Sequence, residues 1–152
     1  MLCHGGGLVE LAARQGRDVA LRRHDQPEVP PVTNNPDFPK LVLFQGALPP
    51  PAVYRPPAER IVAGDPVQQA QNLFQSVDGR FNSGIWTCEP GTWRVVFSES
   101  EFCHLLEGVI IVRGDDGSEA TFRAGDAFLT PAGFTGTWQV VEPARKFYAF
   151  YE

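Results

Sequence analysis

The distribution of proline limits the possible folds of this chain more than any other feature. Ten of its 14 prolines lie between Pro27 and Pro57. Because proline fixes φ and lacks a backbone donor, this window cannot form a regular helix or a central β-strand. Beyond it, nine of the 15 glycines lie between Gly79 and Gly136, where they separate short apolar runs. The pattern excludes a long helical bundle and predicts one small globular domain behind a proline-rich arm.

Three segments follow from this pattern. We expect residues 1–40 to form a flexible tail, residues 41–58 the proline-rich arm, and residues 59–152 the folded domain. A domain of this length can bury a core without disulfide staples. Within the arm, residues 41–44 (LVLF) are predicted to form a first short strand.

Charge and cysteine content limit the partners and the compartment. The net charge of −5 falls on residues 41–152, because acidic and basic residues balance in residues 1–40. An acidic domain repels phosphate backbones, so nucleic acid is not an expected partner. No apolar run is long enough to span a membrane, and three cysteines without C-x-x-C spacing fit a reducing compartment. We therefore expect a cytoplasmic protein that does not bind membranes.

Short segments with a period of two dominate the domain. Turn sequences such as Asp78-Gly79 and Pro90-Gly91 divide them. The candidate strands are residues 70–76, 80–88, 92–98, 101–107, 109–113, 119–123, 127–130, 137–142 and 145–151. Many short strands at this spacing predict an all-β sandwich or barrel.

Two spaced motifs lie within these strands. Residues 101–108 (EFCHLLEG) contain a Glu and a Gly separated by six residues, and residues 125–136 (GDAFLTPAGFTG) contain Gly, five residues, Pro, one residue and Gly. Together they resemble the two-motif signature of cupins. The stretch from Thr137 (TWQVVEPARKFYAFYE) is similar to the (S)-ureidoglycine aminohydrolase-like group, which includes an ethanolamine-utilisation barrel. The resemblance covers about residues 60–152 and implies a single cupin jelly-roll β-barrel.

The resemblance also implies a metal site, but the sequence departs from it. Metal-dependent cupins supply two His, a Glu and a third His, and here Glu101 occupies the Glu position. The two His positions hold Val95 and Phe97 or, with one more intervening residue, Arg94 and Val96. Gly136 stands at the third. Since three of the four usual ligands are absent, we predict no cofactor, although a divalent metal stays possible.

Strand alternation favours the first of these two counts. Trp93, Val95 and Phe97 form one apolar face, which should line the barrel. With the other count Arg94 would enter the pocket and could pair with Glu101.

Glu101 is the candidate catalytic residue. A carboxylate that faces an apolar interior could act as a general acid or base, or hold an amine of a ligand. The alternative is a carboxylate at the barrel mouth that backbone or Arg partners satisfy.

Cys103 shares the face of Glu101, as a pocket thiol or as a small buried hydrophobe. His104 lies three residues after Glu101 and so on the opposite face of a strand. A role as ligand or base would need a bulge, and a partly exposed histidine or a dimer contact is favoured.

Five further residues complete the predicted pocket: Trp93, Val95, Phe97, Cys103 and Trp138. Three more are possible assisting residues: Arg94, His104 and Lys146. The tryptophans pack in the core or form a wall for ligand stacking.

Three functions remain open. The first is a metal-poor cupin that binds a small polar metabolite. The second is an enzyme, aminohydrolase-like or of another kind, that uses Glu101 as acid or base on a small molecule. The third is a non-catalytic homo-oligomeric accessory protein, and in each case we expect a homodimer.

Overall fold

Nine strands and one short 3-10 helix form the regular structure of residues 40–152, the part of the chain that this computed structural model describes. The predicted tail therefore lies outside the described residues, except for Lys40. The elements in order are β1 (Ala52–Tyr54), the 3-10 helix (Ala58–Arg60), β2 (Ile61–Gly64), β3 (Gln68–Gln75), β4 (Phe81–Cys88), β5 (Gly91–Val96), β6 (Ser100–Gly114), β7 (Glu119–Arg123), β8 (Ala127–Thr130) and β9 (Thr135–Tyr151). The all-β prediction is confirmed. None of the described residues belongs to a helix long and apolar enough to cross a membrane.

The two long strands organise the sheet. β9 pairs along its length with β6, and its other edge pairs first with β5 and then with β4. β6 in turn pairs with β8 through its first half and with β7 through its second. All pairings are antiparallel, and the remaining order runs β1-β3-β4-β9-β5-β2. The sheet curls so that alternate side chains of β3, β4, β5, β6 and β9 share one interior, which we call the inner face.

Each long strand was predicted as two. The sequence places a break near Gly108 in β6 and near Pro143 in β9, and the structure instead bends both strands there without ending them. The pairing register shifts between Leu105 and Ile110, as in a β-bulge. Gly108 has φ of +88°, and a Cβ there would come 2.4 Å from the Pro143 carbonyl oxygen. Glycine at this point therefore marks a close approach of two backbones and does not end the strand.

The proline-rich arm contributes an edge strand. β1 pairs with the outer edge of β3, a position that suits a proline-flanked segment. The strand predicted at residues 41–44 is wrong, since these residues are irregular. β1 occupies the edge of β3, and residues 41–44 pair with no strand. Phe44 instead packs edge-on against Phe147, with ring centroids 5.3 Å apart, on the outer face of the sheet.

Aromatic side chains fill much of the interior. Trp86, Trp93 and Trp138 lie with ring centroids 6.3 to 6.5 Å apart, and each is at most 6% exposed. They come from β4, β5 and β9, which are neighbours in the sheet, so alternation alone brings the three rings to the same interior. Such tilted contacts suit the charge distribution of the rings. The tryptophans form one wall of the cavity described next.

Candidate functional site

A cavity of about 80 Å³ opens among the inner-face side chains. Aromatic residues from β1, β4, β5 and β9 contribute to its wall. Among the charged and polar groups that border it are Glu99, Glu101, Gln68 and Lys146. A mostly apolar cavity with a few polar groups is typical of a small-molecule site.

Lys146 is the polar centre of this cavity. Its Nζ donates to Glu101 Oε1 at 2.6 Å and contacts Cys103 Sγ at 3.0 Å. The same ammonium lies 4.8 Å from the centroid of the Trp138 ring and 5.0 Å from that of Trp86. Strand register explains the cluster, because Lys146 on β9 lies opposite Trp86 on β4 and close to Cys103 on β6. The side chains of Lys146 and Glu101 are only 5% and 13% exposed.

The ammonium keeps its proton in this setting. Burial acts to lower the pKa of Lys146, but the interactions of Nζ with Cys103 and with the Glu101 carboxylate outweigh it, so the pKa of Lys146 lies above its usual range. A lysine nucleophile needs the opposite shift, because only the free amine attacks a carbonyl. Lys146 therefore serves as a fixed cation and a hydrogen-bond donor.

Cys103 is a buried thiol. Burial, with a smaller contribution from the charge of Glu101, raises its pKa to about 12. A reactive cysteine needs a lowered pKa and access from solvent, and Cys103 is 0% exposed. The residue packs behind Lys146 as a small, weakly polar side chain.

The structure brings most of the predicted site residues together. Six of them border the cavity, namely Glu101, Trp93, Val95, Phe97, Trp138 and Lys146. One interpretation of the sequence paired Glu101 with backbone or Arg partners. The structure pairs it with a cation, but this cation is Lys146 and not an arginine. The three tryptophan rings belong to the core and also line the cavity, and their role in ligand stacking stays a prediction.

Arg94 and His104 lie apart from the polar centre. Arg94 borders the cavity, and its guanidinium donates to both carboxylate oxygens of Asp115, at 2.8 and 2.7 Å. The half-buried His104 alternates with the inner-face Cys103, and its ring lies 6.3 Å from that of Phe147 on the outer face. Glu101 and His104 do not converge.

The donor set does not fit the metal of the cupin pattern. Val95 and Phe97 border the cavity at the positions of the first two His, and neither can ligate an ion. At the third position, a Cβ on Gly136 would lie 1.9 Å from the Arg113 carbonyl oxygen, so no side chain fits without a backbone shift. Across residues 40–152 no three His, Cys, Asp or Glu side chains are grouped as metal ligands. A divalent ion beside Glu101 would also face the Lys146 ammonium, a like charge within hydrogen-bond distance of the same carboxylate.

Several cavity residues were missed from the sequence. Gln68, one of them, precedes the predicted start of its strand and lies at the start of β3. Tyr148 lies two residues after Lys146, and the period of two could have placed it on the same face. Tyr54 comes from the arm, for which the sequence carried no pairing signal. Glu99 is 6% exposed, and burial raises its pKa despite a hydrogen bond from Ser98.

Comparison with known proteins supports the fold. A family model described as the EutQ-like cupin domain matches residues 75–148. A solved protein of unknown function from Pseudomonas syringae pv. tomato is 24% identical with a TM-score of 0.62, and the match covers 72% of this chain but only 46% of that one. The EutQ protein of Clostridium difficile is 20% identical with a TM-score of 0.51, over 57% of this chain and 68% of that one. None of the curated proteins compared matches this chain.

These likenesses concern the fold, since the identities to the solved structures are below one quarter. The finer resemblance to (S)-ureidoglycine aminohydrolases stays a prediction. The motif spacing, the curled antiparallel sheet and the family model matched over residues 75–148 agree, and the described part of the chain has the cupin-type jelly-roll fold that its sequence predicted.

Proposed function

We propose that this cupin binds a small polar metabolite in its central cavity without a metal. The Lys146–Glu101 ion pair within a wall of aromatic rings is the observation that carries the proposal. A metal-dependent cupin presents a cation held by its Glu, and this chain presents an ammonium held by Glu101. The ammonium is covalently attached, so the charge is present without any bound ion.

Buried ion pairs of this kind cost desolvation energy and are weak evidence for stability alone. Their retention in a cavity wall fits a binding role, because both partners can reorient hydrogen bonds toward a guest. Charged, well-ordered groups in a low-dielectric site also make stronger hydrogen bonds to a ligand than they would in water. The predicted pocket residues Trp93, Val95, Phe97 and Trp138 supply the apolar walls.

A thermal-melt screen of small polar metabolites tests this function, with metal analysis of the same tag-free protein. The wild type is compared with Glu101→Gln and with the control Glu107→Gln, which alters a side chain 67% exposed on the same strand. Each shift is measured against the ligand-free melting temperature of the same variant. We expect ligands to stabilise the wild type and Glu107→Gln, and to lose most of their effect on Glu101→Gln.

Two results would count against the proposal. Equal ligand shifts in the wild type and Glu101→Gln would remove Glu101 from the site. Stoichiometric manganese, iron, nickel or zinc in the purified protein would overturn the metal-free mechanism and favour the metal-dependent chemistry of related cupins.

An enzyme that uses Glu101 as acid or base is the second candidate. It is favoured by the Lys146 ammonium, which could stabilise negative charge on a substrate oxygen next to Glu101. The aminohydrolase-like activity suggested by the sequence belongs to this candidate. Turnover of a ligand identified in the screen, abolished in Glu101→Gln, would distinguish it from simple binding.

The homodimer and the cytoplasmic location also remain proposals. Phe102 and Leu129 are cross-strand neighbours on the outer face, 47% and 57% exposed, and a second copy of the chain could cover them. The buried free thiols of Cys88 and Cys103 suit a reducing compartment. Light scattering that finds only monomer at high protein concentration would contradict the dimer and with it the accessory-subunit alternative.

A further inference from the structure

Two buried hydrogen-bond donors on cavity-lining side chains lack a partner. Gln68 Nε2 and Trp138 Nε1 have no acceptor in the described part of the chain. The two residues are 1% and 2% exposed, so bulk water does not reach them freely. Native proteins leave few buried donors unpaired, and those they leave call for an explanation. Both residues are neighbours of Trp86, Gln68 through a hydrogen bond and Trp138 through a ring contact, so the two side chains lie beside the same ring of the cavity wall, a region that we call the Trp86 corner.

The orientation of these donors is fixed by their surroundings. Trp86 Nε1 donates to Gln68 Oε1 at 2.9 Å, which holds the amide with its NH₂ group free. The indole nitrogen of Trp138 can only donate a hydrogen bond. The corner therefore offers hydrogens and requires a ligand atom that accepts them.

The charges around the cavity disfavour an ionic ligand. Lys146 and Glu101 neutralise each other at 2.6 Å. Arg94 is paired with Asp115, Arg60 at the cavity edge has an interaction of its own, and burial raises the pKa of Glu99 above its usual value. Tyr54 and Tyr148 keep their hydroxyl protons, because burial raises the pKa of both. A charged guest would lose its hydration without gaining a free counter-charge.

We infer that the cavity takes a small uncharged molecule with a carbonyl oxygen, of the primary amide class, and this inference rests on the binding function proposed above. The oxygen accepts from Gln68 Nε2 and Trp138 Nε1, and the amide NH₂ donates toward Glu101. The aromatic walls contact its apolar part. A cavity of about 80 Å³ holds roughly six water-sized groups, which limits the guest to a few non-hydrogen atoms.

Three small probes test the ligand class. Propionamide and propionate have nearly equal shape and differ in charge, and propylammonium has a carbon chain of the same length with a positive charge and no carbonyl oxygen. Their dissociation constants are measured by ligand-observed NMR titration of the wild type. We expect propionamide to bind at least tenfold more tightly than either ion, because only the amide is desolvated without a charge penalty.

Two variants test the donors themselves. Trp138→Phe removes the indole N–H and keeps an aromatic ring, and Gln68→Met removes the amide and keeps an unbranched chain. Gln69→Met, on the exposed side of the same strand, is the matched control. Each site variant should weaken propionamide about tenfold, and the control should leave the constant unchanged. Two independent variants keep the test valid if one of them fails to fold.

The possible failures are distinct. Tighter binding of propionate or propylammonium overturns the ligand class and leaves the cavity as a binding site. Unchanged propionamide binding in both folded variants overturns the assignment of the two donors. If the metabolite screen yields ligands but propionamide does not bind, the amide class fails alone. If neither the screen nor the probes give binding, the proposed function fails as well.

Discussion

Two ion pairs of this molecule have nearly the same closest approach and opposite surroundings. Lys146 and Glu101 approach to 2.6 Å with side chains 5% and 13% exposed. Arg94 and Asp115 approach to 2.7 Å with side chains 45% and 47% exposed. The distance therefore says little about what each pair does, and the surrounding dielectric decides it.

The exposed pair is solvated and screened, and pairs of its kind contribute little to stability. The buried pair has already lost its hydration, so each partner depends on the other. Aromatic rings that flank the Lys146 ammonium replace part of that hydration. The comparison predicts that changes at the buried pair lower the free energy of unfolding more than changes at the exposed pair.

Removal of the buried cation should have the largest effect. In Lys146→Met, Glu101 stays buried without a counter-charge, and we expect a loss of about 3–5 kcal/mol in the free energy of unfolding. Urea denaturation at neutral pH measures it. The double variant Glu101→Gln/Lys146→Met removes both charges and should recover most of the loss, because an uncharged pair leaves no buried ion.

The double variant is also the control for side-chain packing. If it is as unstable as Lys146→Met alone, the lost stability comes from the missing methylene and ring contacts of Lys146 and not from an uncompensated charge. The charges of the buried pair would then contribute as little to stability as those of the exposed pair, and the predicted difference between the two pairs would be wrong.

A rise from pH 9 to pH 10 should weaken the buried region by a smaller amount. Burial raises the pKa of the Cys88 and Cys103 thiols from about 9 to about 12. In this window the unfolded chain releases protons that the folded chain retains, so stability is full below pH 9 and falls as pH rises toward 12. Each thiol contributes a slope of up to about 1.4 kcal/mol per pH unit.

Substitution of each cysteine shows how much its thiol contributes to the slope of stability against pH. Cys103→Ser should flatten the decline between pH 9 and pH 11 in urea titrations, and Cys88→Ser should do the same. Wild-type and variant slopes that coincide would show that neither thiol titrates in this range.

The sequence predicted the frame of the site better than its centre. Motif spacing and alternation placed Glu101, Trp93 and Trp138 on the inner face, because a period of two is a local property of a strand. The Lys146–Glu101 contact joins residues 45 positions apart. It depends on the register of β6 against β9, and the bulge near Gly108 shifts that register in a way the sequence does not specify.

The arm was the hardest part to predict for a similar reason. Proline content correctly excluded a central strand, but it could not show that Ala52–Tyr54 pairs with the edge of β3. Edge pairing depends on which edges remain free, and that is a property of the whole sheet. The apolar side chains of residues 41–44 suggested a strand, but Phe44 instead packs against Phe147 on the outer face of the sheet.

The exposed pair should give the smallest effect, and it completes the comparison. The hydrogen bond from Arg94 lowers the pKa of Asp115 to about 2, so any contribution is present at neutral pH and lost as pH falls through that value. Arg94→Gln should shift the urea midpoint at neutral pH far less than Lys146→Met does, and the shift should vanish at about 1 M salt, where the Debye length is ~3 Å. The effect of Lys146→Met should persist at that salt concentration, because ions do not enter the buried site.

Arg55→Gln is the matched control for this last prediction, since Arg55 and Asp65 form another exposed bidentate pair. Both arginine variants should behave alike. A much larger, salt-independent loss in Arg94→Gln alone would mean that the stem of Arg94 supports the cavity wall through the neighbouring Val95. Arg94 would then act as a pocket residue despite its pairing with Asp115. This result would favour the alternative alignment, in which Arg94 and Val96 occupy the first two His positions.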